Sequence, residues 1–267
     1  KDAADVPVIA SMTYAEGERT LTGTDPETAA VVLESLGADA VGVNCSGGPK
    51  ELEGVVEILC RSTNLPVLVE PNAGMPELIN GRTVFKETPQ SMASYSKKFA
   101  SLGAVMIGSC CGSTPEHTAA IAGELNGLKP IHRSKLFPLR AAGRSKTEKI
   151  GHNCFPVIIG ERINPTGKKY LADEIREGKT KVIKSEAISQ EKAGAHLLDV
   201  NVGVPGVDEP TLMKAAVQAV QSAVNTPLVL DSSNPYALEA GLKAYHGKAV
   251  VNSVTAETES MKKILPL

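Results

Sequence analysis

The chain contains no tryptophan and few other aromatic residues. Its 267 residues include four Phe and five Tyr, too few for the aromatic platforms on which proteins stack single-stranded bases. Lysine and arginine total 28 while aspartate and glutamate total 30, so the formal net charge is -2. A basic surface for nucleic acid or anionic lipid is therefore not expected, and we predict no nucleic-acid partner.

Long hydrophobic runs are also lacking. No stretch approaches the roughly 18 uninterrupted apolar residues of a membrane span, and the opening KDAADVPVIA lacks the anatomy of a signal peptide. These absences predict a soluble, cytoplasmic protein with no membrane partner. Because the first residue is Lys1 and not Met, we expect the chain to be a piece of a longer protein.

Short apolar runs alternate with helical stretches along the whole chain, which is typical of a parallel sheet built from βα units. Most runs are continuously apolar for four or five residues, as expected of strands covered on both faces. Eight such runs begin at Val6, Ala38, Leu65, Ala104, Phe155, His196, Thr226 and Lys248. Helix starts are predicted where a capping oxygen precedes a proline, at Asp25-Pro26, Thr88-Pro89 and Thr114-Pro115.

One basic segment, residues 131–153, interrupts this pattern and is interpreted as an interdomain linker. The sequence therefore predicts an α/β protein of the parallel (β/α)8-barrel type, with domains at residues 1–130 and 154–267. Eight units could form one barrel, and pattern alone leaves this open. The linker favours two partial barrels of four βα units each.

Three of the five cysteines follow predicted strands, where parallel barrels place their chemistry: Cys45, Cys110 and Cys111. Three thiolates leave a tetrahedral zinc one ligand short, as in catalytic zinc sites. A substrate thiol in the fourth position would be deprotonated by the metal, which favours thiol alkylation over hydrolysis. The alternative is a set of ordinary buried cysteines, because no CxxC hairpin is present.

The remaining candidates near these cysteines have plainer interpretations. Cys60 and Cys154 are interpreted as core or incidental residues. His117 lies one turn into a helix and offers a possible fourth ligand, but a solvated capping position is preferred because a fourth protein ligand would leave no room for substrate.

A second constellation follows the linker, where four successive strand ends carry Asp, Glu or Asn. The motifs are VIIGERINPTGKK (157–169), LLDVNVG (197–203), LVLDSS (228–233) and VVNSV (250–254). Carboxylates and amides ringing one barrel mouth suit a flat, neutral heterocycle rich in N–H donors. Lys168 and Lys169 are predicted to be solvated, so phosphate is less favoured. Each polar residue, taken alone, has an alternative role as a turn former or helix cap.

The first constellation resembles a known family. GVNCSGGP (42–49), EPNAG (70–74) and GSCCGSTPEH (108–117) are similar to the homocysteine-binding module of the cobalamin-dependent methionine synthases. The resemblance implies that Cys45, Cys110 and Cys111 bind zinc. It also implies that Asn72 lies beside the metal, where an amide oxygen can occupy the open position when homocysteine is absent.

The second constellation resembles the methyltetrahydrofolate-binding module that follows in the same family. By that resemblance Glu161 and Asn164 lie at the folate site, Asp231 binds the pterin ring, and Asn252 contacts it near the reacting N5 edge. Asp199 and Asn201 are placed in the same mouth.

Together the resemblances imply methyl transfer from 5-methyltetrahydrofolate to homocysteine, giving methionine and tetrahydrofolate. Methylcobalamin would be carried by another module of the parent chain, and Asn72 and Asn252 are the predicted catalytic residues. Residues 1–130 would be the C-terminal half of the homocysteine barrel and residues 154–267 the N-terminal half of the pterin barrel. The alternatives are a corrinoid-independent homocysteine S-methyltransferase and an inactive zinc-binding fragment.

Overall fold

The computed structural model describes residues 5–15, 17–133 and 138–267. The chain divides into two compact units, Lys1–Phe137 and Pro138–Leu267, and each has its own four-stranded parallel sheet. In the described part of the chain, no helix is both long enough and apolar enough to cross a membrane.

The first unit alternates strands and helices around a sheet in the order β1-β2-β3-β6. Its strands are β1 (Ile9–Met12), β2 (Ala40–Cys45), β3 (Val67–Pro71), β4 (Glu77–Ile79), β5 (Arg82–Val84) and β6 (Met106–Ile107). Its helices are α1 (Pro26–Ser35), α2 (Glu53–Ser62), α3 (Pro89–Leu102) and α4 (Pro115–Leu125). The three predicted helix starts are confirmed, with Asp25, Thr88 and Thr114 at the N-cap positions and proline following each.

The core of this unit lies between the sheet and its helices. Val41, Val43, Val67 and Val69 from the two central strands pack there against helix residues that include Leu59. Because successive side chains of a strand point to opposite faces, Asn44 and Glu70 lie on the other face of the sheet. The burial of these valines against the helices therefore determines that Asn44 and Glu70 face away from the helices.

The second unit repeats this plan with the order β12-β11-β10-β9. Its strands are β7 (Leu139–Ala142), β8 (Thr147–Ile150), β9 (Ile159–Ile163), β10 (Leu197–Val200), β11 (Leu228–Asp231) and β12 (Val250–Asn252). Its helices are α5 (Lys169–Arg176), α6 (Lys181–Lys192), α7 (Glu209–Ala223), α8 (Pro235–Ala244) and α9 (Thr258–Ile264).

An antiparallel hairpin, β7–β8, packs against the sheet of the second unit. Ala141 and Ile150 of the hairpin join Leu197, Val229 and Val250 in one apolar cluster. This layer lies on the sheet face opposite the main core, which contains Leu198 and Leu230. The hairpin thus covers the face that would otherwise expose three apolar strand residues.

The structure confirms the α/β class and the eight predicted parallel strands, divided four and four. It differs from the sequence analysis at residues 139–150, because part of the segment interpreted as a linker forms the hairpin β7–β8 of the second unit. Residues 134–137 of that segment lie outside the described residues. A second hairpin, β4–β5, was also absent from the eight predicted runs.

Candidate functional site

The last residue of β2, Cys45, has a left-handed backbone with φ of 54°, and Ser46 follows with φ of 65°. Residues with a Cβ rarely adopt this conformation, and its strain is typical of functional positions. The carbonyl of Cys45 accepts a 2.6 Å hydrogen bond from Gly47 N–H. The chain therefore turns sharply where the thiol leaves the strand.

The pair Cys110-Cys111 follows β6 and is held through its backbone by the last residue of β3 and the segment after it. Cys110 N–H donates to the carbonyl of Pro71 at 2.7 Å, and the carbonyl of Cys111 accepts from Ala73 N–H at 2.8 Å. The irregular backbone after β6 lets two adjacent cysteines approach one point, which regular strand geometry would prevent.

The three thiols converge into one cluster, with all three sulfurs within 4.8 Å of one another. Cys111 Sγ lies 3.8 Å from Cys45 Sγ and 3.9 Å from Cys110 Sγ. Tetrahedral zinc with Zn–S bonds of about 2.3 Å separates its sulfurs by about 3.8 Å, so two of the three separations match. Cys45 Sγ and Cys110 Sγ are 2.8 Å apart, and all three cysteines are free thiols.

The electrostatics of the cluster also favour a cation. Hydrogen bonding to Cys110, burial and hydrogen bonding to Cys111 raise the pKa of the Cys45 thiol to about 12. Three neighbouring thiols resist ionisation together because their negative charges would repel. A divalent cation reverses this preference by stabilising the thiolates, so the donor set fits zinc.

Asn72 lies beside the cluster and joins both cysteine segments. Its side-chain Oδ1 accepts a 3.1 Å hydrogen bond from Cys111 N–H, and its backbone N–H donates to the carbonyl of Gly47 at 2.9 Å. The side chain is buried. Its predicted position beside the thiols agrees with this geometry, while its catalytic role stays a prediction.

His117 is a helix cap, but a buried one and not the solvated one expected. Its Nδ1 lies 3.1 Å from Thr114 N and its Nε2 lies 3.0 Å from the carbonyl oxygen of Glu87. Both ring nitrogens are occupied, so neither is available to a metal. Cys60 is buried in the core of the first unit, and Cys154 lies in the other unit.

The cluster is accessible from one side. An open surface depression of about 680 Å³ is lined by Cys110, Ser109, Ser113 and α4 residues from Pro115 to Ala122. A small thiol could therefore approach Cys110 from solvent.

The polar residues predicted for the second unit also converge. Asp231 and Asn252 are register partners on β11 and β12, and Asn201 Nδ2 donates to Asp231 Oδ2 at 2.8 Å. Asn252 also lies close enough to Asp199 to lower the pKa of its carboxyl. All four residues lie at the same ends of neighbouring parallel strands, beyond the apolar layer that packs against β7–β8.

Asp199 is the most buried carboxyl of this group. Burial, the neighbouring charge of Asp231 and the charge of Glu161 raise its pKa to about 6, against the effect of the Asn252 hydrogen bond. Its Oδ1 atom is buried and finds no hydrogen-bond partner in the described part of the chain. An orphaned buried acceptor beside a second carboxylate suits a ligand that brings N–H donors.

Glu161 and Asn164 complete the group at the end of β9. Asn164 Nδ2 donates to Glu161 Oε1 at 3.3 Å, and Asn164 Oδ1 accepts from Thr166 N–H at 3.0 Å. The structure thus brings together all six residues predicted for this mouth. Their roles toward a pterin stay predictions.

Two further polar residues belong to this mouth and were missed from the sequence. Ser232 donates through its hydroxyl to Glu209 Oε1, and its N–H donates to the carbonyl of Asn252 at 2.7 Å. Ser232 directly follows Asp231 in the motif LVLDSS, which was the available signal. Glu209 was not singled out from the sequence, because an acidic residue between Asp208 and Pro210 is typical of the first turn of a helix.

Comparison with known proteins separates the same two regions. Residues 1–125 match the family described as homocysteine S-methyltransferase, and residues 160–266 match the family described as pterin binding enzyme. The methionine synthase of Mycobacterium tuberculosis (strain ATCC 25618 / H37Rv) is 30% identical over 253 residues, which cover 94% of this chain. In this chain a segment similar to homocysteine S-methyltransferases therefore precedes a segment similar to pterin-binding enzymes.

Other relatives agree with this assignment. The methionine synthase of Mycobacterium leprae (strain TN) is 30% identical over 258 residues, again covering 94% of this chain. The resemblance derived from the motifs is therefore confirmed. The chain spans only 21% of the length of each of these two relatives.

Among solved structures, the metallated form of the homocysteine methyltransferase MmuM from Escherichia coli is 26% identical to this chain. The match covers 44% of this chain and 35% of that one, with a TM-score of 0.36.

Proposed function

We propose that this chain is part of a methionine synthase that transfers a methyl group from 5-methyltetrahydrofolate to homocysteine through a corrinoid held by another module. The products are methionine and tetrahydrofolate. The order of the two segments supports this proposal, because one chain then binds both the methyl donor and the methyl acceptor.

In this proposal each unit is half of a barrel. Residues 1–130 supply four βα units of the homocysteine module, and residues 154–267 supply four βα units of the pterin module. The hairpin β7–β8 between them packs with the second unit. Support comes from the two parallel four-stranded sheets, since eight parallel strands close such a barrel.

For the thiol half, Cys45, Cys110 and Cys111 hold zinc and leave one position for the substrate sulfur. Zinc at this site supplies a Lewis acid that keeps a thiol ionised at neutral pH. Asn72 holds the Cys111 backbone in place through the hydrogen bond that its Oδ1 accepts, and it would lie beside the metal. The convergence of these three thiols in the unit related to homocysteine S-methyltransferases is the observation that carries the proposal.

For the pterin half, Asp231 accepts hydrogen bonds from the ring N–H and amino groups, and Asn201 fixes its carboxylate. Departure of the methyl group requires a protonated N5. We expect Asn252 to accept a hydrogen bond from that N–H, with Asp199, Glu161 and Asn164 lining the rest of the mouth.

Metal analysis of single Cys→Ser variants tests the thiol half. Wild-type chain should retain one zinc, and Cys45→Ser, Cys110→Ser and Cys111→Ser should each lose it, because two thiolates hold the metal poorly. Cys60→Ser is the matched control, since Cys60 is buried away from the cluster. Stoichiometric zinc in Cys110→Ser would contradict the site.

Titration with methyltetrahydrofolate tests the pterin half in the same protein. Asp231→Ala should weaken binding by about 2 to 4 kcal/mol, since a charged acceptor is removed from paired donors. An unchanged affinity would move the pterin site elsewhere.

A corrinoid-independent homocysteine S-methyltransferase is the alternative within enzymes. It explains the thiol cluster but leaves the six converging residues of the second unit without a role. Turnover with free methylcobalamin and homocysteine separates an enzyme from an inactive zinc-binding fragment. A cytoplasmic location stays a prediction.

A further inference from the structure

In the described structure Asn252 is held through a single neighbouring strand. It is the last residue of β12, an edge strand of three residues that pairs with β11. Its side chain is exposed, and its carbonyl accepts a 2.7 Å hydrogen bond from the N–H of Ser232, directly after β11. The position of Asn252 therefore depends on where Ser232 lies.

Ser232 is itself held through its hydroxyl group. The residue is 4% exposed, and its hydroxyl accepts from Asn234 N–H at 2.9 Å and donates to Glu209 Oε1. Asn234 is the N-cap residue of α8, and Glu209 is the first residue of α7. The starts of two helices are thus joined at this one buried side chain.

Helix capping does not account for the side chain of Glu209. Asp208 already caps α7, because its carboxylate accepts from Thr211 N–H at 3.4 Å and from the Thr211 hydroxyl at 2.7 Å. Glu209 is half-buried and forms no ion pair with any described residue. Its carboxylate is bound instead by the Ser232 hydroxyl.

The Glu209 carboxylate lies close to the polar residues of the mouth. An added Cβ on Gly203 would be 3.9 Å from Glu209 Oε1 and 3.3 Å from Asn201 Oδ1. Asn201 in turn donates to Asp231. Glu209 therefore lies at the level of the residues predicted to contact the pterin, and its hydrogen bond to Ser232 connects it to Asn252.

We propose that Glu209 is a positioning residue for the pterin reaction, which holds Ser232 and thereby fixes the end of β12 that carries Asn252. The inference rests on the proposed function, which places Asn252 at the N5 edge of the pterin. A binding group keeps its productive geometry to within about 0.5 Å only when neighbouring residues hold it in place. Glu209 supplies that support to a strand with one neighbour.

Titration with 5-methyltetrahydrofolate tests this role through a double-mutant cycle with Asn252→Ala. Glu209→Ala should weaken binding about 3- to 10-fold, which is the effect of one lost hydrogen bond. In the Asn252→Ala background the same substitution should cause no further loss, because no amide remains there to be positioned. Such a cycle separates an effect exerted through Asn252 from a general loosening of the mouth.

Glu209→Gln tests whether the hydrogen bond or the charge matters. The side-chain amide oxygen of this variant can still accept from the Ser232 hydroxyl, so affinity should stay within about 2-fold of wild type. Glu239→Ala is the matched control, because Glu239 lies on α8 and pairs with Lys243 of the same helix. This control should bind like wild type.

The outcomes separate this inference from the proposed function. An equal loss in both backgrounds, no loss in Glu209→Ala, or a Glu209→Gln variant as weak as Glu209→Ala would each overturn the positioning role while leaving the pterin site intact. A wild-type chain that does not bind 5-methyltetrahydrofolate would contradict the pterin half of the proposed function, and the positioning role with it.

Discussion

Asp199 shows how one buried side chain ties the stability of the second unit to its ligand chemistry. Its carboxyl is 4% exposed, its Oδ1 has no partner among the described residues, and Asp231 lies nearby. Burial and that second carboxylate both disfavour the ionised form. The ionised Asp199 carboxylate therefore destabilises the fold at the mouth, as is common for polar groups in ligand-binding sites.

We predict that Asp199 makes the chain less stable as pH rises from about 4 to about 6. Its pKa is raised from 3.8 to about 6 in the folded state, so in this window the folded state binds more protons than the unfolded state. The free energy of unfolding then falls with pH, by up to about 3 kcal/mol, and levels off above pH 6.

Urea unfolding of wild type and Asp199→Asn at several pH values checks this. The variant should lack the decline because its side chain stays neutral, and the two proteins should be nearly equal in stability at pH 4. Parallel stability profiles between pH 4 and 7 would show that Asp199 ionises without penalty.

Single residues of the candidate sites were predictable where an apolar strand is followed by a cysteine or a carboxylate. Cys45, Cys110, Cys111 and Asp231 were found because continuous apolar runs end within a few residues before them. The left-handed turn at Cys45 was not, since nothing local distinguishes it from an ordinary loop.

At the scale of elements, the hairpin β7–β8 depends on one tyrosine. Tyr245 is buried, and its hydroxyl donates to the carbonyl of Ala142 at 3.0 Å and accepts from Leu228 N–H at 3.2 Å. Burial raises its pKa. The backbone at Gly247 lies close to that of Ala142, so that a Cβ at Gly247 would be 2.1 Å from Ala142 O.

We predict that Tyr245→Phe destabilises the second unit by about 1 to 2 kcal/mol. The change leaves Leu228 N–H buried without its acceptor, while Ala142 O keeps the hydrogen bond from Lys248 N–H. Urea denaturation measures the difference. Tyr236→Phe, at a residue 71% exposed, is the control and should be close to neutral. Equal effects of the two substitutions would show that the Tyr245 hydroxyl does not hold the hairpin.

The parallel strands were predictable as elements, but the hairpins were not. Strands covered on both faces leave the signature of unbroken apolar runs, as in LVLD of β11. By contrast, β8 reads TEKI, a mostly polar sequence within a basic segment. It becomes a strand only because its Ile150 completes the apolar layer of the second sheet.

At the scale of the whole molecule, both sheets end in strands with one unpaired edge in the described structure. These are β1 and β6 in the first unit and β9 and β12 in the second. Apolar residues on two of them are exposed, with Ile9 at 50% and Ile159 at 51%. Open edges with exposed apolar residues are unusual for a finished parallel sheet. They support the proposal that further strands complete each barrel.

We therefore predict that this chain alone is a poor methyltransferase even with zinc bound. The three thiols lie within one four-stranded sheet, so metal binding should survive without additional strands. Substrate orientation requires the complete barrel, and misplacing a reacting group by about 1 Å can cost on the order of 100-fold in rate.

The measurement compares this chain with a longer one that supplies four further βα units before β1. Homocysteine methylation from methylcobalamin is followed at equal zinc occupancy, so that a difference in rate reflects substrate orientation and not metal loss. The longer chain should be faster by about 100-fold or more. Equal rates would mean that four strands already position the substrate, and that the open edges of β1 and β6 have no part in catalysis.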